Sequence, residues 1–296
     1  MYPGIPTPQI RIARMLATPL AVRSYRLCAM PTPTAAPARL RTVRAIRYVT
    51  PLREGGSLPA LIEADDDGMY VLKFRGAGQG PRVLVAEWIA GEIGRVLGLP
   101  VPEIVAVEVD PKLGDAEPDE EVQDLIHASG GLNLGLDFLP GALPFNPAAG
   151  PRPDPELAAN VVWFDGLVMN PDRSPQNPNL LMWHDRLWLI DHGASLYVHH
   201  TWRDTDAHAR RPFERIGEHV LVPYAASIEE ADERLAGSLD QATIHDIVEA
   251  VPDAWLARDQ VIGGPSAQRA AYVRYLLRRL EPPRPFVDEA ERGRTT

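Results

Sequence analysis

Hydrophobic and polar positions along the chain fall into two regimes. Between about residue 40 and residue 109 they alternate in short runs, 43–49 (VRAIRYV), 58–64 (LPALIEA) and 69–74 (MYVLKF), which predict three half-buried strands. A glycine turn at 53–57 (REGGS) and a polar turn at 65–68 (DDDG) separate them, so the three read as an antiparallel meander. A helical period follows over 82–97, with Leu84, Trp88 and Val96 on its apolar face, and Gly98 and Pro100 end it. Further strands are predicted at 104–109 and 132–139, with an acidic, exposed excursion at 110–124 between them. Five prolines within 142–155 mark a boundary. Beyond it the pattern is helical at 156–168, 227–236, 241–250, 253–260 and 266–280, and only 180–183 and 186–190 break the rule, as a hairpin turning at His184-Asp185. The expected fold is α+β and bilobal. A small antiparallel sheet lobe with one helix (41–145) precedes a larger, mostly helical lobe (146–281), with a cleft between them and a fraying tail at 282–296.

Composition sharpens this picture at three points. The 296 residues carry a net charge of −10, but residues 1–53 hold nine arginines and no acid, so the remainder stands at −19. Direct nucleic-acid binding is not expected of a body that repels phosphates, whereas magnesium-bound nucleotide is compatible, because the metal sets the local field. Cys28 is the only cysteine, which fits a reducing cytoplasm, and no apolar run approaches the roughly 20 residues of a membrane span. Residues 1–40, rich in Pro, Ala, Thr and Arg, read as an unstructured extension, a targeting peptide or a stretch upstream of a start at Met30. Finally, only Lys73 and Lys112 among the 30 basic residues are lysines, so a lysine inside the apolar strand pattern at 69–74 asks for a reason.

The chemistry concentrates at 170–193 (NPDRSPQNPNLLMWHDRLWLIDHG). With His184-Asp185 as the loop, Met182 faces Leu187, Asn179 faces Ile190 and Pro178 faces Asp191, which brings Asn177 beside Asp191 at a strand spacing of roughly 5 Å. An amide oxygen and a carboxylate suit a small hard cation such as Mg²⁺, with Asn179 a rival for Asn177. Asp172 and Asn177 have the D-x-x-x-x-N spacing of a phosphotransferase catalytic loop, and Asp191-His192-Gly193 stands where a metal-binding D-x-G would follow. Lys73 on its strand can reach nucleotide phosphates, and Glu87 on the next helix, with Glu92 the weaker rival, can hold it. Backbone N–H groups of the turn at Gly55, Gly56 and Ser57 can cover phosphates. A phosphoryl-transfer cleft requires Lys73, Asp172 and Asp191 to converge.

These stretches, VLKF at 71–74, Glu87 with GLPVPE at 98–103, NPDRSPQN at 170–177 and IDHG at 190–193, resemble the HipA-like kinases, over about residues 45–220. The resemblance implies a protein-kinase-like fold and an ATP/Mg²⁺-dependent phosphotransferase. It implies Asp172 as base, Lys73 and Glu87 as the phosphate-holding pair, and Asn177 and Asp191 as Mg²⁺ ligands. The segment 132–139, with Asp137 and Leu139, falls where the adenine-contacting hinge would be. A protein Ser/Thr substrate and an antitoxin-like partner are also implied. A small-molecule or lipid kinase, or a non-catalytic nucleotide-binding regulatory module on the same fold, stands as the alternative.

Other patterns carry less. GAGQG at 76–80 follows a strand and precedes a helix, but lacks dinucleotide spacing, and no βαβ unit follows. His192, His199, His200 and His208 show no metal-ligand spacing. Ser57 is a candidate regulatory phosphosite, or simply a turn serine.

Overall fold

Two bulges shape the first lobe. In the computed structural model, which describes residues 39–52, 58–78, 80–115, 117–148, 150–256 and 259–295, the first strand β1 (Arg41–Pro51) is irregular between Ala45 and Arg47 and again between Tyr48 and Thr50. Bulges bend a strand and increase its twist. The first part of β1, Arg41 to Arg44, therefore runs parallel to β4 (Ile104–Val109), while the rest pairs antiparallel with β2 (Ala60–Ala64). With β3 (Met69–Lys73) and β5 (Gly131–Asp137) the order is β1-β2-β3-β5-β4, a closed barrel. The expected antiparallel sheet is thus corrected in one pairing, and its edges meet. Val43, Ala45, Ile62, Leu72, Phe74, Val105 and Val107 fill the interior. The predicted glycine turn, with Gly55, Gly56 and Ser57, and the extension before residue 39 lie outside the described residues.

The acidic stretch after β4 is largely exposed, as expected, and it is folded. A short 3-10 turn, Pro111–Gly114, leads to α2 (Glu120–Ala128), whose Asp119 cap accepts from the Glu121 N–H at 3.2 Å. Val122 and Ile126 of α2 are buried with the barrel core.

Helix α1 (Arg82–Val96), between β3 and β4, joins the two lobes. Every residue from Leu84 to Gly94 is buried, Glu87 and Glu92 included. One side packs on the barrel, and Trp88 on another donates to the Ile247 carbonyl at 2.8 Å on α6 (Gln241–Glu249). Helix α3 (Pro155–Val168) is just as enclosed. Asp154 caps its start, accepting from the Leu157 N–H at 2.8 Å, and Met169 ends it in a left-handed conformation. A three-stranded sheet of β6 (Leu143–Pro144), β7 (Leu180–Trp183) and β8 (Arg186–Leu189) contributes Leu180, Leu187 and Leu189 to the same core. Met182 pairs with Leu187, as the pattern predicts, and His184 and Asp185 both take positive φ, as a two-residue hairpin loop requires.

The remaining helices are α4 (Thr205–Ala209), α5 (Ile228–Leu235), α7 (Pro265–Leu280) and α8 (Pro285–Thr295). Two expectations fail here. The helix predicted at 253–260 shortens to a 3-10 turn, Asp253–Trp255. Asp259 instead accepts from the backbone N–H groups of Val261 and Ile262, a local alternative that competes with helix. The tail expected to fray forms α8, started by Pro285, with Phe286, Val287 and Ala290 buried. Phe286 lies edge-on to Trp163 at 5.9 Å, and a Cβ at Gly166 would approach it to 2.7 Å, so α3 needs glycine there. No helix among the described residues is long and apolar enough to cross a membrane.

Candidate active site

Lys73 is the last residue of β3, and Glu87 lies one turn into the buried part of α1. The Lys73 Nζ donates to Glu87 Oε2 at 2.5 Å and to Asp191 Oδ1 at 2.6 Å. Lys73 and Glu87 are buried, whereas the Asp191 side chain keeps 49% of its surface exposed. Burial alone would push the ammonium down; the carboxylates of Asp191 and Glu87 outweigh it, so the Lys73 pKa is raised. Burial would likewise push Glu87 up, but Lys73 and then His192 hold it well below the usual carboxylate range. Glu92, the rival, pairs with Arg95 at 3.0 Å.

Asp191 follows β8 with a φ of 57°, which swings its carboxylate out of the strand ladder toward Lys73. The ladder ends one step earlier, where the Ile190 N–H donates to the Asn179 carbonyl at 3.1 Å and Asn179 also takes a left-handed φ. Regular pairing therefore stops short of Pro178 and Asp191. Gly193 allows the close approach to α1, because a Cβ there would come within 2.5 Å of Val83.

The loop that carries Asp172 and Asn177 is anchored from below. Asp165, fully buried on α3, accepts from Arg173 Nε at 2.6 Å, His219 Nε2 at 2.8 Å and Asn170 Nδ2 at 3.1 Å. Asn170 Oδ1 in turn accepts the Asp172 N–H at 3.1 Å. Arg173 Nη1 donates to the carbonyls of Asn179, at 2.5 Å, and Ile190, at 3.3 Å. One carboxylate thus ties the Asp172 loop to the hairpin that delivers Asp191. Despite full burial, Arg173 and His219 hold Asp165 down to about 2. Asp165, Arg173 and His219 were not among the residues the sequence singled out. The available signal was a lone acid in the apolar helical run VVWFDGLV, since such a charge must be paired.

Asp172 itself is exposed, and its pKa is raised, first by desolvation and then by the Asp191 charge, with Arg215 and Arg173 opposing. Asn177 is exposed in a turn closed by reciprocal backbone hydrogen bonds with Ser174, each at 3.1 Å; no hydrogen bond joins its side-chain amide to another described residue. Asp137 ends β5 opposite Tyr70, and Leu139 is buried against Ala142 and Trp188. His199 and His208 are hydrogen-bonded to the hydroxyls of Tyr272 and Tyr275, both at 2.9 Å. Among the described residues no three His, Cys, Asp or Glu side chains form a ready metal cage. The donors at hand are oxygens: an Asp191 carboxylate with one oxygen on Lys73 and half its surface open, and the exposed Asn177 and Asp172. That sparse set fits Mg²⁺, which is held by one or two carboxylates together with substrate phosphates.

A β-barrel lobe joined through one buried helix to a helical lobe, with a strand lysine clasped by a helix glutamate and a hairpin aspartate, defines the protein-kinase-like class. The chain belongs to the HipA-like kinases: the model of that family, HipA_2, matches residues 45–285. The fold is also similar to the crystal structure of CtkA, a Helicobacter pylori proinflammatory kinase, with a TM-score of 0.51 at 14% identity, covering 85% of this chain and 98% of that one. No match to a curated protein was found. Membership of a kinase family implies ATP use.

Proposed function

We propose that the protein is an ATP/Mg²⁺-dependent phosphotransferase that phosphorylates serine or threonine hydroxyls of a protein. The observation that carries this reading is the convergence of Lys73, Glu87 and Asp191, residues from a strand, a helix and a hairpin up to 118 positions apart. Lys73, kept charged by its two carboxylates, binds and orients the nucleotide phosphates. Asp172, whose raised pKa moves it toward the range of a useful base, takes the proton of the acceptor hydroxyl as that oxygen bonds to the γ-phosphorus and the bond to ADP breaks. Asp191 and Asn177 would hold Mg²⁺, which would supply positive charge to offset that of the phosphates during transfer. The protein does little covalent work, so positioning and electrostatics carry the rate.

The alternatives keep this site and change what meets it: a small molecule or lipid head group as acceptor, or nucleotide binding without turnover. Transfer of labelled γ-phosphate to a mixed protein acceptor, to free small alcohols and to lipid vesicles separates them. Protein labelling by the wild type, falling roughly 10²- to 10⁴-fold in Asp172→Ala, is the expected result. ATP binding with no transfer to any acceptor would overturn the catalytic reading.

A further inference from the structure

The residue between Asp191 and Gly193 closes a ring. Lys73 Nζ joins Glu87 Oε2 at 2.5 Å and Asp191 Oδ1 at 2.6 Å. The other Glu87 oxygen, Oε1, meets His192 Nδ1 at 3.3 Å, and the peptide bond from His192 to Asp191 completes the circuit. We propose that His192 is a positioning residue for phosphoryl transfer: by donating from Nδ1 it locks the α1 glutamate to the hairpin, so that Lys73, Glu87 and Asp191 move as one unit. This rests on the phosphotransferase reading above.

Three features separate this role from simple packing. The Glu87 carboxylate is ionised and can only accept, so Nδ1 carries the proton in this contact. The ring is fully buried and stands edge-on to Phe164, 5.7 Å away at 73°, which fixes the direction in which Nδ1 points. His192 Nε2 is buried with no hydrogen-bond partner among the described residues, so Nδ1 makes the polar contact that accounts for an imidazole in this apolar setting. A leucine would fill the same space against Phe164 and leave Glu87 with Lys73 alone. Gly193 follows because its missing side chain lets the hairpin close on α1, where a Cβ would come within 2.5 Å of Val83. A lysine held from two sides presents its charge to the phosphates without first reorganising, which is where preorganised electrostatics gain their rate.

The chain supplies its own reporter. Lys73 and Lys112 are its only lysines, one buried in the ring and one exposed on the surface. The rate at which an amine-reactive acyl reagent modifies Lys73 relative to Lys112, read by mass spectrometry of the folded protein without nucleotide, measures how tightly the ring holds Lys73. It does so independently of turnover. His192→Leu keeps the packing and removes the donor; His192→Asn places an amide N–H near the Nδ1 position. In His192→Leu, relative Lys73 labelling is expected to rise severalfold and kcat to fall roughly tenfold, the loss of one hydrogen bond to a charged group, with the melting temperature lowered by a few degrees. His192→Asn is expected to restore both toward wild type. Equal labelling in all three proteins would overturn the proposal, as would equal impairment of the leucine and asparagine variants. If the wild type transfers no phosphate at all, the phosphotransferase reading fails, and the labelling ratio still decides whether His192 holds the ring.

Discussion

Two buried carboxylates, Glu87 and Asp165, keep nearly the same company and serve different ends. Each accepts from one cation and one histidine: Glu87 from Lys73 at 2.5 Å and His192 at 3.3 Å, Asp165 from Arg173 at 2.6 Å and His219 at 2.8 Å. The cations make the difference. Lys73 is a compact charge on a flexible stem, and its second partner, Asp191, is half open to solvent. Arg173 is a rigid fork, fully buried, with Nη1 committed to the backbone carbonyls of Asn179 and Ile190. The lysine cluster opens to solvent through Asp191, where an incoming anion can meet it. The arginine cluster holds two backbone segments at a fixed separation. A kinase site needs both: a charge that can act, and a frame that keeps the Asp172 loop and the Asp191 hairpin in register.

The strongest way to break the comparison is to remove the anion of the frame. Asp165→Ala leaves Arg173 buried without its counter-charge, and Asn170 and His219 without their acceptor. Breaking one side of a buried pair costs about 3–5 kcal/mol. The urea midpoint should fall by a corresponding amount, and phosphoryl transfer should fall with it, because the Asp172 N–H loses the Asn170 orientation that anchors it. A loss below about 1 kcal/mol would mean that the network is ornamental rather than a frame.

Acid probes the same cluster more gently. Arg173 and His219 hold the Asp165 pKa at about 2 in the folded chain, whereas an unfolded aspartate titrates near ~3.9. A carboxylate depressed by folding contributes stability that is fully present above the unfolded value and is lost as pH falls toward the folded one, here about 2 kcal/mol between roughly pH 5 and pH 2. His219 has the same sign. Burial lowers its pKa despite Asp165, so below roughly pH 6.5 the unfolded chain takes the proton more readily than the folded one. The stability gap between wild type and Asp165→Asn, followed by denaturant titration, should therefore narrow as pH falls from 5 to about 2. A gap that does not depend on pH would show that charge is not what Asp165 contributes.

The two clusters were unequally legible in the sequence. Lys73 stood out because the chain has so few lysines, and Glu87 because a helix followed at the right distance. The hairpin register could be read from alternation, and Met182 does face Leu187. The ladder's end at Asn179 could not, since it turns on two left-handed residues that no periodicity announces. Asp165 and His219 lie 54 positions apart and meet only because α3 and the segment after α4 pack together. Nothing local marks that meeting except the oddity of one acid in an apolar helix. The barrel has the same logic: the strands were visible, but closure through a parallel β1–β4 pairing depends on bulges that bend one strand toward two partners. Helix α8 was hidden by a charged stretch that read as a fraying tail, although Pro285 serves as a start and Phe286 as an anchor.

The smallest expected effect on stability gives the sharpest test of the contrast. Lys73→Met with Glu87→Gln removes both charges of the lysine cluster together, keeps an acceptor for His192 and leaves Asp191 free to hydrate at its exposed face. Replacing both members of a buried pair leaves no orphan charge, so stability should stay within about 1 kcal/mol of wild type. Phosphoryl transfer should still fall roughly a hundredfold or more, because the phosphates lose their preorganised cation. The matched change in the frame, Asp165→Asn with Arg173→Met, also removes one charge of each sign. It strands the Ile190 carbonyl and leaves the Asn179 carbonyl with only the Ile190 N–H. Each buried acceptor left without a donor costs about 1–3 kcal/mol, so this double variant should be the less stable of the two. Equal midpoints for the two double variants would dissolve the distinction between a cluster that acts and a cluster that holds.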